Sequence, residues 1–172
     1  MKNLLNIRGF AHKVGDDINT DLIISGRYKF SISDMTELSK HIFEDQDPNF
    51  YRRLKPNESF LVAGSNFGMG SSREQAPLVI KCANINAVLA KGFARIFYRN
   101  AFNIGLPLIE CDTDKIDEGD RLHFDLEANV LKNITKGKGI EFSPIPDIMK
   151  DFLREGGVIS YFKKNGGFKF GI

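Results

Sequence analysis

The sequence predicts an α/β fold in which a parallel βαβ layer carries a smaller barrel-like or meander part, and three observations support this. First, short apolar runs alternate with helix-like stretches across short links: residues 60–63, then 78–83, 87–90, 94–103 and 106–110. Such alternation marks parallel strands joined by crossover helices. Second, the texture changes after Lys115, where 120–126, 130–133 and 139–142 are short strand candidates separated by Asn, Gly and Lys turns. Third, a glycine-rich stretch follows the apolar run 60–63, at a strand's carboxyl end, where open α/β sheets place their ligand sites.

The chain begins with a strand pattern over 4–14, followed by a polar turn over 15–21 and a short apolar run, Leu22-Ile23-Ile24. Residues 34–54 are charged with scattered apolar positions, which predicts one or two short helices broken at Asp47-Pro48. Beyond the meander, Ile148, Met149, Phe152 and Leu153 fit one face of a helix stopped by Gly156-Gly157. The tail 163–172 has no clear pattern and is expected to be surface, partly mobile.

At 172 residues the chain is expected to form one domain over 1–172, large enough to bury roughly 70% of its unfolded surface. A net charge of +2 gives no reason to expect nucleic acid or an anionic membrane as partner. No run of about 18 apolar residues occurs and the N-terminus lacks a signal-peptide core, so the cytoplasm is the expected location. Cys82 and Cys111 are the only cysteines, far apart and in apolar contexts, which suits buried thiols in a reducing compartment. They are too few for a cubane iron–sulfur cluster, which takes roughly four ligands. His12, His41 and His123 stand alone, His41 reading as a solvated helix residue, and no metal site is expected. Arg95 and Arg99, four apart, could share a helix face toward the site or toward a partner, and read first as a solvated face.

The stretch from Gly64 to Pro77, GSNFGMGSSREQAP, carries the chemistry. Gly64, Gly68 and Gly70 permit positive φ and close approach of a ligand to the backbone. Ser71 with Glu74, or Ser72 with Gln75, fits a capping box, which predicts a helix starting there with free N–H groups toward the loop. Such an end attracts anions, and Arg73 offers a planar fork suited to a carboxylate. Two nucleotide motifs are excluded: Ser71 stands where a Walker A loop needs lysine, and Arg73 stands where a dinucleotide loop needs its third glycine. An acidic small molecule held by main-chain N–H groups, serine hydroxyls and an arginine is the expected ligand.

The whole stretch resembles the signature of the aconitase superfamily's mobile swivel domain, found in the small subunits of 3-isopropylmalate dehydratase and homoaconitase. The family pattern is approximately G-x-N-F-G-x-G-S-S-R-E-H-A-P, and 64–77 match it with Gln75 in place of the usual His. The similarity extends to Asn19-Thr20-Asp21, to 93–97 and to 99–107, covering about residues 5–162.

The resemblance implies an aconitase-type swivelling β/β/α fold and a hydro-lyase function. On this reading the chain is the small subunit of a 3-isopropylmalate dehydratase-like enzyme, exchanging 2-isopropylmalate and 3-isopropylmalate by loss and return of water in leucine synthesis. The resemblance also implies a [4Fe-4S] cluster on a separate large subunit, with none bound by this chain, and a 2-hydroxy dicarboxylate substrate. Self-association of the chain when alone is a further expectation.

Residue by residue, the family's catalytic base maps to Ser71, and substrate binding maps to Ser72 and Arg73, with Gly68 and Gly70 shaping the loop backbone. Asp21, by itself a turn or cap carboxylate, matches an aspartate lining the family's active site. Tyr28, Lys29 and Phe30 fall in the loop that contacts the variable substituent of the substrate. Phe30 stands where homoaconitases carry an arginine, which favours an apolar substituent over a carboxylate. Homoaconitase, citraconate (2-methylmalate) hydratase and dimethylmalate dehydratase small subunits are the related readings, and a non-catalytic anion-binding module is the reading outside enzymes.

Overall fold

The computed structural model describes residues 6–28 and 31–167. Seven strands form one sheet in the order β4-β3-β2-β1-β5-β6-β7. Its first half is parallel: β1 (Asn6–Gly15), β2 (Ser59–Ala63), β3 (Ala87–Ala90) and β4 (Leu108–Glu110) run side by side. Every residue of β2 and β3 is buried, as expected for strands covered on both faces.

On the other side of β1 the pairing turns antiparallel, through β5 (Arg121–Asp125), β6 (Val130–Asn133) and β7 (Lys138–Gly139). In β5 and β6 the apolar side chains alternate, leaving one face to solvent. The expected meander is thus an extension of the same sheet. The third strand candidate is shorter than predicted, because beyond β7 the chain crosses to the opposite edge: Phe142 bridges Cys111, and Ser143 N donates to Glu110 O at 2.8 Å. Backbone pairing that joins both edges curls the sheet.

Helices α4 (Gln75–Cys82) and α5 (Arg95–Asn103) are the crossovers between the parallel strands, and α2 (Met35–Ser39) and α3 (Phe50–Arg53) occupy the charged segment near β1. Leu22-Ile23-Ile24, read only as a short apolar run, begins in a one-turn helix, α1 (Thr20–Ile23), because Asn19 Oδ1 accepts from Leu22 N at 2.8 Å and caps it. Helix α6 (Asp147–Glu155) ends at left-handed Gly156 as predicted. A further helix, α7 (Val158–Asn165), runs into the first residues of the predicted tail, with Tyr161 edge-on to Phe152 at a ring-centroid distance of 5.2 Å; residues 168–172 of that tail lie outside the described residues.

The predicted start of α4 is corrected. Neither capping box forms; the first helical residue is Gln75, and Glu74 ahead of it makes no side-chain cap. Gly70, at φ +90°, keeps the chain out of the helix, and Ser71 and Arg73 are tied to α1 instead. Pro77 fits within the first turn of α4, where no N–H is needed.

Candidate functional site

Three loops meet at the carboxyl ends of β1, β2 and β3, and backbone hydrogen bonds lace them together. Gly68 N donates to Ile18 O at 2.7 Å and Thr20 N to Met69 O at 3.0 Å, so the loop after β1 runs parallel to the loop after β2. On the other side Phe67 N donates to Gly92 O at 3.0 Å and Ala94 N to Phe67 O at 2.9 Å, joining the loop after β3. Phe67, fully buried, anchors the middle with its ring edge-on to Phe97 at 5.1 Å.

Two of the signature glycines are required by this geometry. Gly68 has φ +82°, and a Cβ there would lie 2.3 Å from Cγ of Phe97. At Gly64 a Cβ would fall 1.9 Å from Asp16 Oδ1, the oxygen that accepts from Ser65 N at 2.7 Å.

What this scaffold presents is a pair of exposed serines beside a held arginine. Arg73 Nη2 lies 2.6 Å from Asp21 Oδ1 and Nη1 donates to Ile24 O at 3.3 Å, so both contacts come from the α1 region. The arginine is largely buried while Asp21 stays open to solvent, with side-chain exposures of 23% and 57%. Thr20, buried, donates from Oγ1 to Ser71 O at 3.0 Å. No hydrogen bond engages the hydroxyl of Ser71 or Ser72 among the described residues, and both residues are exposed. Ser71, Ser72 and Arg73 line a cavity of about 300 Å³ together with Thr20, Gly68, Gly70 and the amino end of α5, Ala94 to Phe97 with Asn100.

Such an arrangement offers a carboxylate a guanidinium and two hydroxyls on an open face. The sequence pattern of the family described as the aconitase C-terminal domain matches residues 1–113. The chain belongs to that family.

Relatives in it agree along nearly the whole length. The chain is 55% identical to 3-isopropylmalate dehydratase small subunit 2 of Archaeoglobus fulgidus, over 94% of this chain and 97% of that one. It is 48% identical to 3-isopropylmalate dehydratase small subunit 1 of Thermotoga maritima, over 94% and 98%. In three dimensions it is similar to the crystal structure of 3-isopropylmalate dehydratase from Methanocaldococcus jannaschii, with TM-score 0.89 and 44% identity over 94% of this chain and 95% of that one. The protein is therefore an aconitase-family small subunit of the 3-isopropylmalate dehydratase group.

For this aconitase-family chain the structure brings Ser71, Ser72, Arg73, Gly68 and Gly70 to one cavity, with Asp21 behind Arg73. Tyr28 is outside that lining. Its hydroxyl donates to Glu44 Oε2 at 2.5 Å and its ring stacks on His41 at 4.2 Å. The shared hydrogen bond holds the Glu44 carboxyl below its usual range and pushes the Tyr28 phenol up. His41, read as a solvated helix residue, is instead half-buried in this cluster, with Nδ1 2.6 Å from Glu44 Oε2. Lys29 and Phe30 lie outside the described residues. Thr20 and Arg95 are the additions the structure makes; Thr20 was signalled by the matched Asn19-Thr20-Asp21, and Arg95 by the matched stretch 93–97 and its spacing from Arg99, of which only Arg95 lines the cavity.

The residues present do not suit an iron–sulfur cluster. Among the described residues no group of three or more His, Cys, Asp or Glu side chains converges. Burial raises both thiols, Cys111 to about 12 and Cys82 at the end of α4 as well, and two thiols are too few for a cluster that takes about four ligands. Nor is any helix among the described residues long and apolar enough to cross a membrane.

Proposed function

We propose that this chain is the small subunit of a 3-isopropylmalate dehydratase, a hydro-lyase that interconverts 2-isopropylmalate and 3-isopropylmalate in leucine synthesis together with a large subunit. The observation that carries this reading is the open cavity in which exposed Ser71 and Ser72 stand beside Arg73, with Asp21 fixing the guanidinium. The agreement of the signature and of the whole chain with dehydratase small subunits supports the choice of reaction.

On this reading a [4Fe-4S] cluster on the large subunit supplies the Lewis acid that assists departure of the substrate hydroxyl. This chain supplies the other side. Ser71 Oγ, as the alkoxide, takes the proton from the carbon next to a carboxylate and becomes the neutral hydroxyl, Ser72 and Arg73 hold that carboxylate, and Asp21 keeps the Arg73 fork aimed.

A serine hydroxyl is a weak base, and a helix end contributes only about 0.3 to 1 kcal/mol, fading beyond the first turn. Ser71 stands ahead of that turn, since α4 begins at Gln75, so the dipole of α4 is too small a term. The larger share comes from the adjacent guanidinium in a site that becomes dry when the partner closes over it, where preorganised donors act in low dielectric. An open cavity is what such a division of labour requires, because substrate must enter before the two bodies meet.

Mixing the chain with its large subunit and following ultraviolet absorbance of the unsaturated intermediate tests the reading. Turnover of isopropylmalate is expected only with both chains present. Turnover by this chain alone would sink the two-subunit scheme, and full activity of Ser71→Ala would sink the assignment of the base. Assays of citramalate, dimethylmalate and homocitrate alongside isopropylmalate separate the related substrates.

A further inference from the structure

A dicarboxylate brings two negative charges to the cavity above Ser71, and the one guanidinium assigned to it is already charge-balanced by Asp21 at 2.6 Å. Arg95, the first residue of α5, lines the same cavity as Arg73. It is exposed, and among the described residues it makes no ion pair or hydrogen bond through its side chain. An unpaired guanidinium lining one cavity with two free hydroxyls is a cation without a counter-charge, in a space of about 300 Å³ that suits a small acid. Arg99, four positions on, is also exposed but does not line the cavity.

We propose that Arg95 is a second substrate-binding residue, which receives one carboxylate of the 2-hydroxy dicarboxylate while Arg73 and Ser72 hold the other. The inference rests on the dicarboxylate hydro-lyase reading given above. Charge favours it: Arg73 is shared with Asp21, so Arg95 adds a second cation at the cavity for the second charge of a dianion. Geometry favours it as well, because the planar fork of arginine grips a carboxylate through two parallel hydrogen bonds, which an ammonium does not reproduce.

The test uses the chain assembled with its large subunit and compares wild type with Arg95→Gln, Arg95→Lys and Arg99→Gln. Losing a hydrogen-bonded contact to a charged group predicts a KM for isopropylmalate raised about 10- to 100-fold in Arg95→Gln, with kcat nearly unchanged. Arg95→Lys recovers part of the loss, and Arg99→Gln behaves as wild type. Subunit association, followed by sedimentation, is expected to be the same in all four proteins. A wild-type KM in Arg95→Gln would overturn the role of Arg95 and leave the hydro-lyase reading standing; so would a rise in KM fully explained by weakened association, which would make Arg95 a docking residue. A wild-type complex inert toward every 2-hydroxy dicarboxylate would overturn both.

Discussion

Arg73 and Asp21 form a 2.6 Å ion pair that bridges the loop after β2 and the single turn of α1. Its carboxylate side is open to solvent, and an ion pair so exposed contributes about 1 kcal/mol or less to stability. Its effect lies in aim: the pair and the Ile24 carbonyl together fix which way the guanidinium fork faces.

Asp21→Asn is therefore expected to separate stability from activity. The thermal midpoint should move by only a few degrees, while kcat/KM of the assembled enzyme falls about 100-fold, the scale of a binding group displaced by about 1 Å. Thermal scans and steady-state kinetics on the same preparation decide it. A large fall in midpoint with activity intact would make the pair structural.

Gly68→Ala should be costly for the fold. The added methyl meets the Phe97 ring at 2.3 Å, and Phe97 is buried against Phe67 with little room to give. Overpacking of this kind costs about 1 to 3 kcal/mol, and a left-handed φ at a residue with a Cβ adds about 1 kcal/mol more. Urea titration should show the midpoint lowered accordingly, with the double substitution Gly68→Ala, Phe97→Ala failing to restore it fully because φ stays at +82°.

Lys81 fastens the far end of the molecule. Its ammonium donates to the carbonyl oxygens of Ile104 and Gly156, just past the ends of α5 and α6, where helix dipoles are negative. Lys81→Met keeps the aliphatic stem and removes both bonds, so a loss of about 1 to 3 kcal/mol is expected in denaturant titration. Activity per folded molecule should be unchanged, since Lys81 lines a different cavity, with Asn86 and Pro107 just ahead of β3 and β4, and does not line the one at Ser71.

His12 makes stability depend on pH. The ring is buried in β1, with Nε2 3.1 Å from Ser59 Oγ and no hydrogen-bond partner at Nδ1. Burial is the main cause that lowers its pKa below 6.5, against the opposing pull of Glu118. The unfolded chain then binds the proton more readily, so this contribution is fully present above about pH 6.5 and is lost as pH falls through the lower folded value. Denaturation midpoints should be flat from pH 7 to 8 and fall toward pH 5, and His12→Gln should flatten that fall.

Much of the site could be read from the chain because backbone chemistry is local. Gly68 and Gly70 take the positive φ that the sequence allowed, whereas Gly64 does not and is needed because a Cβ there would lie 1.9 Å from Asp16 Oδ1. The capping boxes at Ser71 and Ser72 are the counterexample. Their spacing is correct, yet tethering to Thr20, 51 positions earlier, holds the chain out of helical geometry until Gln75. A local hydrogen bond worth about 1 kcal/mol yields to several long-range ones.

By itself, the sequence determined the strand and helix alternation, the loop at the end of β2 and the kinship carried by residues 64–77. Periods of about 2 and 3.6 residues and the special needs of glycine are written in neighbouring positions. Only the tertiary structure decided which of Arg73 and Arg95 is paired and which is left free, and that residues of α1 and α5 line one cavity with Ser71. Those relations join residues tens of positions apart, and they arise when a parallel sheet brings the carboxyl ends of β1, β2 and β3 to one edge, an outcome no local pattern encodes.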